Sequence, residues 1–191
     1  MQPGTTIESS LADHFRANHI RFKPLAIARL EEVRAAYLAG RCDALTADFS
    51  TLHAILATNP VQTDDHLILS QSIAKTPYSP AVRHGDSHFG NVVRWAIHAM
   101  IKAEELGITS RNVDEVAKRD DPAISRMLGV TPGIGTALGV DDRWVYNIVK
   151  QVGNYGESYD RNLGNDSPLK IARSLNAQWT KGGILYAPPI R

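Results

Sequence analysis

Gly4-Thr5-Thr6-Ile7-Glu8 holds the first residues of the chain able to do chemistry. Thr5 followed three residues later by Glu8 has capping-box spacing, which predicts a helix starting near Thr5. Gly4 just before it lets the backbone approach a guest closely. A glycine turn opening a capped helix is an anion cradle, with free N–H groups and the positive end of the helix dipole pointing outward. Asp48 follows a short strand candidate, Cys42–Ala47, and its carboxylate can accept from an ammonium group. A helix N-terminus for a carboxylate plus an aspartate for an ammonium forms a recognition pair for an α-amino acid. Each half also reads as an ordinary helix cap, so spacing alone leaves both readings open.

Other chemistry is poorly supported. Seven histidines raise a metal hypothesis, but the closest pair, His84 and His88, straddles a Gly-Asp turn with no carboxylate or thiolate following at ligand spacing, so no metal is expected. Gly133-Ile134-Gly135-Thr136 resembles a nucleotide loop only superficially, because it lacks a preceding strand and the phosphate-loop lysine. Ser9, Ser10 and Ser50 have no histidine at triad spacing, and no cofactor or enzyme activity is expected. Cys42 is the sole cysteine, so an internal disulfide is impossible, and it reads as a small buried hydrophobe. Trp95, Trp144, Trp179, Tyr155, Tyr159 and Tyr186 read as packing residues.

Composition sets the outer limits. At 191 residues the chain is one ordinary domain or two small ones, and 43% hydrophobic content supports a packed core. A net charge of +1, with Lys and Arg dispersed, gives no case for nucleic acid or an anionic membrane surface. No apolar run approaches bilayer length, and the start lacks the regions of a secretion signal.

The elements that must position these groups divide unevenly. Helices are expected at Thr6 to Ala17, Arg29 to Ala39 with Gly40 at its end, and Phe49 to Ala57 after Asp48. Short strand candidates lie at Ile20–Ile27, which contains Pro24, and at Cys42–Ala47. A turn cluster at 59–65 leads to another apolar run, His66–Leu69. Beyond Pro77 and Pro80 the pattern is almost all helical: 86–106, 112–118, 122–128, and one long helix over 141–163 ending at Gly164. The Gly- and Pro-punctuated tail, 179–191, is expected to fold over the surface.

Five blocks carry a family resemblance. They are "GTTIESSLADHFRANHIRFKP", "LEEVRAAYLAGRCDALTADFSTL", "SPAVRHGDSHFGNVVRWAIHAMIKAEELGIT", "VYNIVKQVGNYGESYDRNLG" and "LNAQWTKGGILYAPPIR". Together they resemble the general L-amino-acid-binding proteins of bacterial polar-amino-acid ABC transporters, a branch of the type II periplasmic solute-binding proteins, across nearly the whole chain. The resemblance implies an α/β, periplasmic-binding-protein-like type II fold in which two lobes close on the ligand. The Gly-Thr-Thr turn would follow the first strand of the second lobe, yet only Met1, Gln2 and Pro3 precede it here. The expectation is therefore an N-terminally truncated member: 1–77 as the second lobe without its first strand, and 78–191 as the helical remainder of the first.

By the same resemblance, Thr6 and the backbone around Thr5 would hold the ligand α-carboxylate, and Asp48 would accept from the α-amino group. Gln2 would lie within reach of the ligand. Ile7 stands where the family often has a polar residue. The family's carboxylate-binding arginine and aromatic wall have no counterpart in the chain. Charged hydrogen bonds are worth roughly 1.5–3 kcal/mol each, so L-amino-acid affinity should fall to millimolar or vanish. Family partners and place would be an ABC permease and the periplasm, with no membrane insertion, and Cys42 would be a free thiol. Helices lacking the sheet they would cover should seek a partner, including a homodimer formed by element exchange. The competing expectation is a non-binding paralogue acting as a homodimer or interaction protein.

Overall fold

A computed structural model describes residues 1–58 and 65–190, and the turn cluster expected at 59–65 lies outside the described residues except for Asp65. Internal contacts divide the chain into two compact units, Met1–Tyr78 and Ser79–Arg191.

The first unit is built on three helices. α1, Thr6–Ala17, starts on Thr5, whose hydroxyl accepts from the Glu8 N–H, and buries no residue fully. It ends without glycine: His19 takes φ +56, and the Ile20 N–H returns to the Phe15 carbonyl at 2.8 Å. That closure brings Phe22 edge-on to Phe15, with ring centroids 4.7 Å apart. α2, Leu30–Leu38, buries Val33 and Ala36, and α3, Phe49–Ala57, buries Ile55.

No β-strand forms among the described residues of this unit, in contrast to the short strands expected at 20–27 and 42–47. Both stretches are extended, but a strand exists only when its N–H and C=O groups find a neighbour. One rung of such a pairing is present: the Met1 amine donates to the Leu25 carbonyl, and the Ile27 N–H donates to the Met1 carbonyl at 3.0 Å. This is the bonding pattern of a parallel ladder.

The second unit is organised around α4, Ser87–Glu105, capped by Asp86 through the Phe89 N–H. α4 ends in a Schellman closure, Ile108 N–H to Ala103 C=O and Gly107 N–H to Glu104 C=O. Ile108 is thereby driven fully into the core. Short helices follow: α5, Val113–Val116; α6, Pro122–Met127, capped by Asp121 with Pro122 in its first turn; and α7, Ile134–Leu138. α8, Trp144–Val152, and α9, Tyr155–Asn162, both pack against α4. Ala99 and Ala103 on α4 are fully buried beside Val145 and Val149 of α8 in one apolar cluster with Leu128 and Val113. Small residues on α4 permit this close approach.

The single long helix expected over 141–163 is instead α8 and α9. Gly153 takes φ +92 and ψ 178, which stops α8, and Asn154 restarts the chain with a reciprocal capping box to Glu157. The break is fixed from outside. The buried Asn154 amide donates to the Ile108 carbonyl at 2.8 Å, and Glu157 accepts from Ser110 Oγ at 2.6 Å. Burial pushes the Glu157 carboxyl up, but the hydrogen bonds from Ser110 and Asn154 outweigh it and hold the carboxyl below its ordinary range.

The tail straps this unit. Arg173 grips Glu104, and the Ala187 N–H donates to Glu105 on the same helix at 3.1 Å. Trp144 is buried as expected, but Trp179 and Tyr186 are not packing residues: they are 55% and 65% exposed and meet edge-on at 5.7 Å. The loop that carries Trp179 is closed by the Trp179 N–H on the Leu185 carbonyl and the Leu185 N–H on the Ala177 carbonyl.

Candidate functional site

The cradle at the start of α1 forms, and part of it is occupied. Thr5 sits at φ −105, ψ 160, the extended geometry of an N-cap, and its hydroxyl donates to the Gln2 carbonyl at 2.8 Å. Glu8 reaches back to the Gly4 N–H at 2.7 Å, one residue beyond the usual capping-box partner. The carboxylate of Glu8 therefore stands at the rim of a site suited to anions, where it repels an incoming carboxylate. Thr6 is exposed in the first turn. The Gln2 amide is committed to the Ala28 carbonyl at 3.0 Å, which leaves its side-chain oxygen as the group able to meet a ligand.

Asp48 occupies the N-cap position of α3 but makes no capping bond. Its Oδ2 accepts instead from the Tyr78 hydroxyl at 2.8 Å. That hydrogen bond, then burial and the negative charge of Asp48, raise the Tyr78 phenol above its ordinary range, so at neutral pH it is a donor. The hydrogen bonds thus gather Gln2, Gly4, Thr5 and Glu8 into one group and Asp48 with Tyr78 into another. Among the described residues none joins the two groups. A groove along α2, lined by Ile27, Ala35, Ala36 and Ala39, includes none of the expected ligand residues.

The remaining motifs resolve as structural. In the glycine-rich stretch, the N–H groups of Gly133, Gly135 and Thr136 converge on Asp142 Oδ1 at 2.9, 2.9 and 3.2 Å. The loop is thus filled by the chain's own carboxylate. The hydrogen bond from Gly133, ahead of those from Thr136 and Gly135, holds the Asp142 carboxyl below its ordinary value despite some burial. A depressed native value stabilises the fold above the unfolded carboxyl's pKa, and the contribution fades as pH falls through the native value. Asp142→Asn should therefore melt below wild type at pH 7, with the gap closing on acidification toward pH 3 in thermal melts. A gap constant with pH would show that Asp142 acts through shape alone. His88 is tied to the Leu138 carbonyl at 3.0 Å, and Cys42 is a half-buried free thiol.

No protein-family model matches the chain. It is 50% identical to the general L-amino acid-binding periplasmic protein AapJ of Rhizobium johnstonii over 195 aligned positions. It is 43% identical to the glutamate/glutamine/aspartate/asparagine-binding protein BztA of Rhodobacter capsulatus. The whole chain aligns with a periplasmic binding protein of an ABC transporter from Brucella ovis, solved with glutathione bound, at 50% identity and a TM-score of 0.93. Over its whole length this chain is similar to part of periplasmic binding proteins whose names are those of amino-acid-binding proteins.

All of this chain is covered in each comparison, but it spans 56% of the two curated relatives and 60% of the solved one. The α/β, periplasmic-binding-protein-like fold class expected from the sequence holds by this likeness, although the described residues contain no β-strand. Among the described residues no helix is long and apolar enough to cross a membrane.

Two participants escaped the sequence reading. From the sequence Glu8 reads as part of the cap, and its carboxylate at the anion site is set by the bond to the Gly4 N–H, four residues back. Tyr78 stands 30 residues from Asp48, in a Pro-flanked stretch without periodicity, and nothing in the sequence links the two.

Proposed function

We propose that this chain is an amino-acid-binding component of an ABC transporter, acting in the periplasm by binding and not by catalysis. The reading is carried by Asp48, a carboxylate at a helix N-cap position that makes no cap. An uncapped N-terminus costs about 1 kcal/mol, and a carboxylate held away from that bond is available to a cationic partner. The N-terminus of α1, where Thr6 is exposed and Thr5 half-buried, supplies the complementary anion site. The names of relatives that bind amino acids support an amino acid as the ligand. Glu8 beside the cradle argues for weak binding.

The test is calorimetric titration with L-glutamate at millimolar concentrations. Asp48→Asn should lower affinity roughly tenfold to a hundredfold, the worth of one charged hydrogen bond. Unchanged heat in that variant would remove Asp48 from the site.

A second reading, a non-binding homodimer or interaction protein, is favoured by the apolar run after Asp65. Leu67 and Leu69 there are 82% and 71% exposed. On that reading the titration is silent and light scattering gives twice the chain mass.

A further inference from the structure

We propose that Tyr78 is a displaceable placeholder at Asp48: its phenol hydroxyl takes the carboxylate oxygen that an α-ammonium needs, so binding is an exchange of one donor for another. The inference rests on Asp48 being the ammonium acceptor and goes beyond it by naming what an entering ligand must move.

Three observations carry it. The contact is well made, with Tyr78 Oη 2.8 Å from Asp48 Oδ2, and it is available because Asp48 does not cap α3. Tyr78 is held by little else. Its side chain is 75% exposed, and among the described residues this hydrogen bond is its sole polar or ring contact. The stretch that carries it makes little resistance: over 66–78 no helix or strand forms, its start is held by His66 against Tyr37 at 2.9 Å, and beyond His66, among the described residues, no main-chain hydrogen bond joins 67–78 to the rest of the unit. Releasing the phenol to water therefore costs one exposed hydrogen bond and little packed surface.

The exchange favours a cation. A phenol is a neutral donor to the carboxylate, whereas an ammonium brings full charge, and hydrogen bonds with both partners ionised are the stronger class. A ligand without the ammonium has no group that replaces what it displaces, and leaves Asp48 without a partner on that oxygen. Tyr78 thus adds discrimination between an amino acid and the corresponding 2-oxo acid, beyond the charge of Asp48 itself.

The experiment is a paired titration of wild type, Tyr78→Phe and Asp48→Asn with L-glutamate, and with 2-oxoglutarate as the ammonium-free control. Removing the competing donor should tighten L-glutamate binding by about two- to tenfold in Tyr78→Phe, the fold-change expected for one neutral hydrogen bond. In wild type labelled with ¹³C-tyrosine, the ring signal lost in Tyr78→Phe should move toward that of solvent-exposed tyrosine on adding L-glutamate. If Asp48→Asn weakens binding while Tyr78→Phe leaves it unchanged or weaker, the placeholder is overturned and Asp48 remains the acceptor. If Asp48→Asn has no effect, or neither wild type nor Tyr78→Phe binds, the reading of Asp48 fails and the placeholder falls with it. Tyr78 is exposed, so loss of its hydroxyl leaves the fold intact for each arm.

Discussion

Arg173→Ala should melt the C-terminal unit roughly 10 °C below wild type. Arg173 meets Glu104 through two parallel bonds, Nη1 to Oε1 at 2.7 Å and Nη2 to Oε2 at 3.0 Å. The two side chains retain only 21% and 11% exposure, so the pair is largely shielded from water. The guanidinium also donates to the Asn176 carbonyl and lies 5.4 Å from the ring centres of both Tyr155 and Tyr159. Burial alone would lower the Arg173 pKa, but the hydrogen bond and charge of Glu104 reverse that and raise it.

Truncating Arg173 strands the Glu104 carboxylate on a packed helix face. Breaking a buried pair from one side costs about 3–5 kcal/mol, and the residual exposure of Arg173 places this case near 3 kcal/mol. Replacing both partners by apolar residues, Arg173→Met with Glu104→Leu, should recover most of the loss, because no charge is then left unpaired. Arg173→Lys should recover little, since an ammonium cannot make both bonds. The measurement is thermal unfolding followed by helical circular dichroism. A shift below about 2 °C for Arg173→Ala would place the pair with ordinary exposed ones and sink the account.

Gly129→Ala should cost about 2–5 kcal/mol, while Gly107→Ala should cost about 1–2 kcal/mol. Both glycines follow a helix end in the left-handed region, at φ +73 and φ +66. A side chain there carries the same conformational penalty at either site. Their surroundings differ. A Cβ on Gly107 would meet nothing within 4 Å, whereas one on Gly129 would lie 2.0 Å from the Asp142 carbonyl oxygen and 2.8 Å from the Arg143 Cα. Those atoms are backbone and cannot swing aside, so the turn after α6 and the entry to α8 would have to separate. Denaturant unfolding of the two variants isolates the close approach as their difference. Equal costs would mean that the 141–143 segment yields freely.

Much of the local architecture is set by the sequence itself. The helix start at Thr5 was legible because a side-chain oxygen placed three residues before a free N–H satisfies it wherever the chain goes. Ends at Gly40 and Gly107 were legible for a similar reason, since the left-handed turn is nearly free only for glycine. The division of the 141–163 stretch was not. Its apolar spacing continues across Gly153, and the break depends on the buried Asn154 amide reaching Ile108 and on Glu157 reaching Ser110, 46 and 47 residues away.

The candidate site divides in the same way. Local sequence determined the Gly-Thr-Thr turn, which follows from the Thr5 cap, and the place of Asp48 just before α3, although Asp48 makes no cap there. Tertiary structure decided what those groups touch: Glu8 closing on Gly4, Gln2 drawn to Ala28, and Asp48 taken by Tyr78. The extended stretches at 20–27 and 42–47 show the physical reason most plainly. A helix satisfies its own backbone, so its residues suffice to specify it, whereas a strand takes its bonds from a partner and its sequence states only half of the pair.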